Sequence, residues 1–203
     1  RCGFCHNPGL VVNENPEKIY SEKEIKEFLE KRKKYLDGVC ITGGEPLINN
    51  DLIEFLEEIK KLNYDIKIDT NGSNPELLKK LIDNKLIDYI AIDIKSDKKN
   101  YDKVAGVKVD LNKIEESLKL IKNSEIDYEI RTTVIRGYNN LEEIGKWLNN
   151  LIGKPKKYVI QNFISRDKLI DNKFKKINKF TEEELEDIKN NIKEYFEKVE
   201  IRA

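Results

Sequence analysis

The sequence predicts an α/β protein in which parallel strands alternate with helices and curl into a partial (β/α)6 TIM-like barrel. Three observations carry this. Runs with helical periodicity alternate with short strand-like runs along the 203 residues, the pattern produced by right-handed crossovers between parallel strands. The strands carry apolar residues on one face and charged residues on the other, whereas a parallel sheet covered on both sides reads as continuous apolar runs. The first helix also precedes the first recognisable strand, so a further strand is expected upstream of Arg1, with RCGFCHNPGL as the loop that follows it.

SEKEIKEFLEKRKKYL opens the pattern as a helix, with Ser21 and Glu24 as a capping box and Ile25, Phe28, Leu29, Tyr35 and Leu36 on one face. GVCITGGEP follows as a strand near 38–42 that ends in a turn. NDLIEFLEEIKKL is helical through Leu52, Phe55, Leu56, Ile59 and Leu62, and a strand near 65–70 follows within YDIKIDTNG. NPELLKKLIDN begins with Asn74 as cap and Pro75 at the first helical position, and YIAIDIKS supplies a strand within 88–95. The remaining alternation is helix DLNKIEESLKLIKN, strand near 127–135, helix NLEEIGKWLNNL and strand near 157–163. Residues 165–180 read as a polar, irregular connection, and TEEELEDIKNNIKEYFEK closes the chain as a long helix capped by Thr181 and Glu184. One domain, residues 1–203, is expected, with 165–203 as its C-terminal connection and helix.

Taking every second strand residue separates the two faces. Ile66, Ile68, Ile90, Ile92, Ile94, Ile130 and Val134 form the side that helices would cover. Lys67, Asp69, Ala91, Asp93, Lys95, Glu129, Arg131, Thr133 and Gln161 form the other. Buried charges cost several kcal/mol each unless they are paired or bound, so this second face is expected to line a polar cavity. In a barrel such a cavity opens at the C-terminal strand ends.

Composition bounds the partners. Lys and Arg number 38 and so do Asp and Glu, which leaves no long-range field to favour nucleic acid or an anionic membrane. Charged residues reach 37%, against about 25% in ordinary globular chains. This Lys and Glu excess resembles the bias of hyperthermophile proteins, although the many Asn residues point the other way. No apolar run approaches the roughly 20 residues of a membrane span, and no signal peptide is recognisable. A soluble cytoplasmic protein is expected. Three cysteines, two of them in a CxxC pair, suit a metal or redox site better than a disulfide framework.

The CGFCH cluster, Cys2, Cys5 and His6, fits a c-type haem attachment, a thioredoxin-like pair, half of a zinc site or part of an iron–sulfur motif. Haem would have His6 as its only histidine and no Met for the other axial position, since the chain has one His and no Met. Zinc would need two more ligands, and Cys40, in mid-strand, reads as a small buried thiol. A thioredoxin-like pair does not need GGEP or charged strands. The iron–sulfur reading remains.

Here the sequence resembles the radical S-adenosylmethionine (SAM) enzymes. Their motif is C-x3-C-x-aromatic-C; Cys2, Phe4 and Cys5 match its last two cysteines and aromatic position, and the first cysteine is expected four positions before Cys2. GGEP at Gly43, Gly44, Glu45 and Pro46 matches the second hallmark. CHNP, ITGGEPL, IDTNGS, AIDIK and EIRTTVIRG together resemble the glycyl-radical enzyme activating enzymes, close to the anaerobic ribonucleoside-triphosphate reductase branch, over residues 1 to about 164.

The resemblance implies a [4Fe–4S] cluster on three thiolates, with SAM chelating the fourth iron. One electron then cleaves SAM, and the 5′-deoxyadenosyl radical takes a hydrogen from a glycine Cα of a partner glycyl-radical enzyme. A flavodoxin or ferredoxin-type protein would supply the electron, with no nucleic acid and no membrane involved. Gly43 and Gly44 would let the backbone approach the methionyl group with Glu45 at its amino end; an ordinary turn is the plainer reading. Asp69, Thr70 and Asp93 match residues that hold a monovalent cation, Na⁺ or K⁺, beside the SAM carboxylate, with Lys95 reaching that carboxylate; a structural Asp–Lys network is the alternative. Asn71 faces the ribose or makes the Asn71-Gly72 turn. Glu129 and Arg131 touch SAM or pair with each other, and His6 organises the cluster loop. Two other functions stay open: a small radical SAM enzyme acting on a small molecule, such as the 7-carboxy-7-deazaguanine synthases, and a non-catalytic SAM-binding fragment.

Overall fold

A computed structural model describes residues 1–11, 19–165 and 167–202. Six strands form one parallel sheet in sequential order: β1 (Gly38–Ile41), β2 (Asp65–Thr70), β3 (Tyr89–Asp93), β4 (Asp127–Val134), β5 (Tyr158–Asn162) and β6 (Val199–Arg202). Right-handed crossovers between neighbouring parallel strands place the connecting helices on one side. Those helices are α1 (Glu22–Arg32), α2 (Leu52–Lys61), α3 (Pro75–Asp83), a short α4 (Tyr101–Ala105), α5 (Leu111–Asn123), α6 (Leu141–Ile152) and α7 (Glu182–Ile192). Consecutive long helices pack on one another, α3 on α5, α5 on α6 and α6 on α7. The result is an open, curled sheet, a partial barrel.

The caps expected from sequence form. Ser21 and Glu24 exchange the capping-box bonds at α1, as do Thr181 and Glu184 at α7. The Asn74 carboxamide accepts from Leu77 N with Pro75 at the first helical position. Ile66, Ile68, Ile90, Ile92, Ile94, Ile130 and Val134 are buried beneath the helices. Their alternate neighbours stand on the concave face.

Three expectations are corrected. Only Leu29 of the α1 face is buried; Phe28, Tyr35 and Leu36 are exposed, because the contacts of α1 run to α2 and the turn before β2, where Lys26 pairs with Glu58 and the Tyr64 hydroxyl donates to Leu29 O, and the described residues leave the rest of that face uncovered. The last helix stops at Ile192 instead of running to Lys198. A 3-10 turn at Lys193–Tyr195 redirects the chain into β6, a strand the charged sequence VEIR did not reveal. The third concerns Cys40, which stands exposed instead of buried. It points to the polar face of the edge strand, paired in register with Lys67. Among the described residues no helix is long and apolar enough to cross a membrane.

Candidate functional site

The cysteine loop is fastened to the top of the sheet by its neighbours. Cys5 N donates to Cys2 O at 3.0 Å, closing a tight turn. Phe4, between the two cysteines, is buried in a small second core with Val104, Ile135, Phe163, Leu169 and Phe174. Its ring meets Phe174 and Phe163 edge-on, at 5.7 and 6.1 Å, and His6 stacks on Phe163 at 5.8 Å. Asp171 N donates to Gly3 O at 2.8 Å. On the other side Gly106 has φ 71°, and a side chain there would meet Arg1 O at 2.6 Å, so glycine is needed both for the turn and for the approach. Cys2 and Cys5 are left half-buried, facing a cavity.

The turn after β1 is built around one carboxylate. Gly43 takes φ 138° with open space where a Cβ would be. Glu45 then caps a 3-10 turn, Pro46–Ile48, accepting from Leu47 N at 3.2 Å. The same carboxylate accepts from the Thr70 hydroxyl at 2.6 Å and from Asn71 N at 2.7 Å, which ties the loop after β1 to the loop after β2. Burial raises the Glu45 pKa, and these three hydrogen bonds only partly offset it. Thr70 is therefore turned toward Glu45, and its oxygen also accepts from Gly72 N at 3.0 Å. Asn71 makes the turn, accepting from Ser73 N at 2.8 Å.

Below these loops the concave face holds a charged network. Arg131 Nε donates to Asp93 Oδ1 at 2.8 Å and Nη1 to Asp69 Oδ2 at 3.0 Å. One guanidinium thus bridges β2 and β3 from β4. Lys95 Nζ reaches Asp93 Oδ2 at 3.2 Å, and Lys67 pairs with Asp69. Burial pushes the Asp93 pKa up, but Lys95 and Arg131 outweigh it and hold the carboxyl below its usual range. Burial lowers the Lys95 pKa, but Asp93 overrides it and raises the ammonium above its usual value. Glu129 lies 3.9 Å from Arg131, yet its closest partner is Arg202 of β6, whose two nitrogens donate at 2.8 and 2.6 Å. Arg131 and Glu129 thus form an ion pair, while the hydrogen bonds of Arg131 go to the aspartates and Glu129 is also gripped from β6.

A cavity of about 460 Å³ lies between loop and sheet, within the range of small-ligand sites. It gathers Cys2, Phe4, Cys5, Gly43, Gly44, Glu45, Asp69, Thr70, Asn71, Asp93 and Lys95 from four chain segments. Pro46 and Arg131 lie outside its lining; Arg131 forms the layer beneath. Sequence reasoning missed Phe174, for which an aromatic in a polar stretch was the available signal, and Arg202. Among the described residues no group of three or more His, Cys, Asp and Glu side chains is placed to hold a metal ion. Two cysteines facing one cavity have the chemistry of part of an iron–sulfur ligand set.

Comparisons with known proteins give the family and the fold. The family model described as "Radical SAM superfamily" matches residues 1–149. A Methanocaldococcus jannaschii protein, named by inference as a glycyl-radical enzyme activating enzyme, is 32% identical over all of this chain and 84% of its own length. The GTP 3′,8-cyclase of Aquifex aeolicus is 27% identical over 74% of this chain and 49% of its own length. Among solved structures, Streptococcus suis SuiB bound to S-adenosylmethionine superposes with a TM-score of 0.69 at 20% identity, covering 99% of this chain and 46% of SuiB. The chain therefore spans about half the length of that cyclase and of SuiB.

Proposed function

Because the chain belongs to the radical SAM superfamily, we propose that it is a glycyl-radical enzyme activating enzyme. The observation that supports this most is the convergence of Cys2, Cys5, Gly43, Glu45, Asp93 and Lys95 on one cavity, in a chain whose full-length likeness is to a protein so named. Cys2 and Cys5 would hold two irons of the cluster, and the motif that they match calls for a third cysteine four positions before Cys2. When bound, cluster and SAM supply one-electron cleavage of the SAM C5′–S bond and the carbon radical that results. The chain's own residues do the positioning. The Gly43-Gly44 backbone would leave room for the methionyl group with Glu45 at its amino end, Lys95 would donate to the carboxylate, and Asn71 would face the ribose. The Phe4 core beneath the loop keeps water from the cluster side of the cavity. A monovalent cation between Asp69 and Asp93 belongs to this reading only if the Arg131 guanidinium moves aside, since it bridges both carboxylates.

The electron donor in this reading is a flavodoxin or ferredoxin-type protein, and the substrate is a glycine Cα–H of a partner enzyme. The likeness to GTP 3′,8-cyclases favours a second reading, a small-molecule substrate. The test is hydrogen transfer. With SAM and a partner enzyme made with Cα-deuterated glycine, deuterium is expected in 5′-deoxyadenosine, together with a lasting protein radical in the electron spin resonance spectrum. Deuterium transfer from a nucleotide, with no protein radical, would replace this reading with the second one.

A further inference from the structure

A second cavity, of about 420 Å³, opens beside the first and shares Arg1, Cys2, Asn71 and Lys95 with it. Its inner wall is apolar, made by Tyr101, Ala105, Val109 and Ile114, and its lining includes the exposed Lys108 and Lys113. The charge here departs from that of the whole chain, which carries equal numbers of basic and acidic residues. Arg1, Lys95, Lys108 and Lys113 line it against one carboxylate, Asp110. Asp110 is already engaged as the cap of α5, accepting from Asn112 N at 3.0 Å. Lys95 is engaged with Asp93, whereas Lys108 and Lys113 have no ion-pair partner among the described residues. The start of α5, a 13-residue helix, adds the positive end of its dipole.

The second observation is at the neck between the cavities. Tyr101 is 2% exposed, and its hydroxyl lies against the Lys95 backbone near Cys2 and Asp93. Yet it makes no hydrogen bond of proper geometry. Burial pushes its pKa up to about 12, so it stays a donor. A buried donor left without an acceptor is costly, and native structures place such groups where a ligand or water completes them.

We infer that the second cavity admits the substrate and recognises it through an anionic group, which sits between Lys108, Lys113 and the start of α5, with Tyr101 donating to the part nearest Cys2. The inference rests on SAM occupying the first cavity, whose lining adjoins that of the second at Arg1, Cys2, Asn71 and Lys95. The anion is a carboxylate of an acidic peptide around the reacting glycine or a phosphate of a small molecule; both present oxygens to the same donors.

The chain's single tryptophan, Trp147, meets the Tyr101 ring edge-on at 6.2 Å, so its fluorescence reports occupancy without any cluster. The probes are the peptide Glu-Glu-Gly-Glu-Glu, its Gln-Gln-Gly-Gln-Gln counterpart and sodium triphosphate. Saturable binding of the acidic peptide or of triphosphate is expected, with the neutral peptide weaker by about tenfold, and the better anion identifies the source. Lys108→Ala with Lys113→Ala should weaken the anion about tenfold, and Tyr101→Phe by about three- to tenfold. Equilibrium dialysis of labelled SAM, run on parent and variant chains that carry a cysteine four positions before Cys2 and have been reconstituted with the cluster, should give the double lysine variant the parent's SAM affinity. Equal binding of the neutral peptide, no anion binding by a protein that binds SAM, or an unchanged affinity in the lysine variant would overturn the inference. Anion binding by a parent protein that does not bind SAM would instead overturn the reading on which it rests.

Discussion

Replacing Arg131 with methionine is expected to destabilise the protein by about 2–3 kcal/mol at pH 7. Breaking a buried ion pair by removing one partner typically costs about 3–5 kcal/mol. The lower figure follows from what remains: Asp93 keeps Lys95, Asp69 keeps Lys67, and the two carboxylates are 27% and 18% exposed. The pH dependence has a definite sign. The folded-state pKa of Asp93 is depressed, so its contribution is present above the unfolded value and is lost as pH falls through the folded value. Without Arg131 the burial of Asp93 is less well offset and its pKa rises. Acid unfolding of the variant should then begin at higher pH than in the parent. Adding Asp93→Asn should restore part of the loss, because the charge left behind disappears. Urea titrations at pH 7 and acid titrations of parent, single and double variants measure this. Equal stability of Arg131→Met and parent would mean that solvent and the lysines already satisfy the aspartates.

Phe174→Ala is expected to cost about 3 kcal/mol, at the low end of the roughly 3–5 kcal/mol for a buried phenylalanine. Phe174 is 2% exposed and touches Phe4, Tyr138 and Phe163. It belongs to a small core whose members can partly close the gap, hence the lower figure. The effect should be concentrated at the cysteine loop, because Phe4 is the loop's anchor and Asp171 holds the Gly3 carbonyl. Amide hydrogen exchange should quicken for residues 2–6 and 169–174 while strands β2 to β4 keep their protection. Phe174→Leu should recover most of the stability. Unchanged exchange at residues 2–6 in the alanine variant would show that the loop is held by something else.

The sheet was readable in the sequence because two periodicities coexist there. Ile66 and Ile68 of β2, Ile90 and Ile92 of β3, and Ile130 and Val134 of β4 share a face opposite Asp69, Asp93 and Arg131, and no arrangement buries both sets without pairing the charges. The turn residues were readable for the same kind of reason: Asn74-Pro75 and the Ser21–Glu24 box have few alternatives. What escaped was set by tertiary context. Cys40 looks like a core residue in any strand, and it is exposed because it lies on the polar face of a strand that is the sheet's edge among the described residues. VEIR has no periodicity of its own, so Arg202 and its grip on Glu129 stayed hidden. Residues 165–180 read as polar, although Leu169 and Phe174 within them complete the core under Phe4. That Arg131 bridges Asp69 and Asp93, instead of pairing mainly with Glu129, depends on the registers of β2, β3 and β4, which alternation alone does not fix.

The central claim is that the cavity beside Cys2 and Cys5 carries a SAM-binding iron–sulfur cluster. The most direct measurement is electron spin resonance after anaerobic reconstitution with iron and sulfide, made on a chain that carries a cysteine four positions before Cys2. The expected result is the signal of a reduced [4Fe–4S] cluster that shifts when SAM is added, SAM cleavage to 5′-deoxyadenosine, and loss of both in Cys5→Ala. A chain that takes up no cluster under these conditions, or a Cys5→Ala variant that keeps both the shifted signal and SAM cleavage, would contradict it.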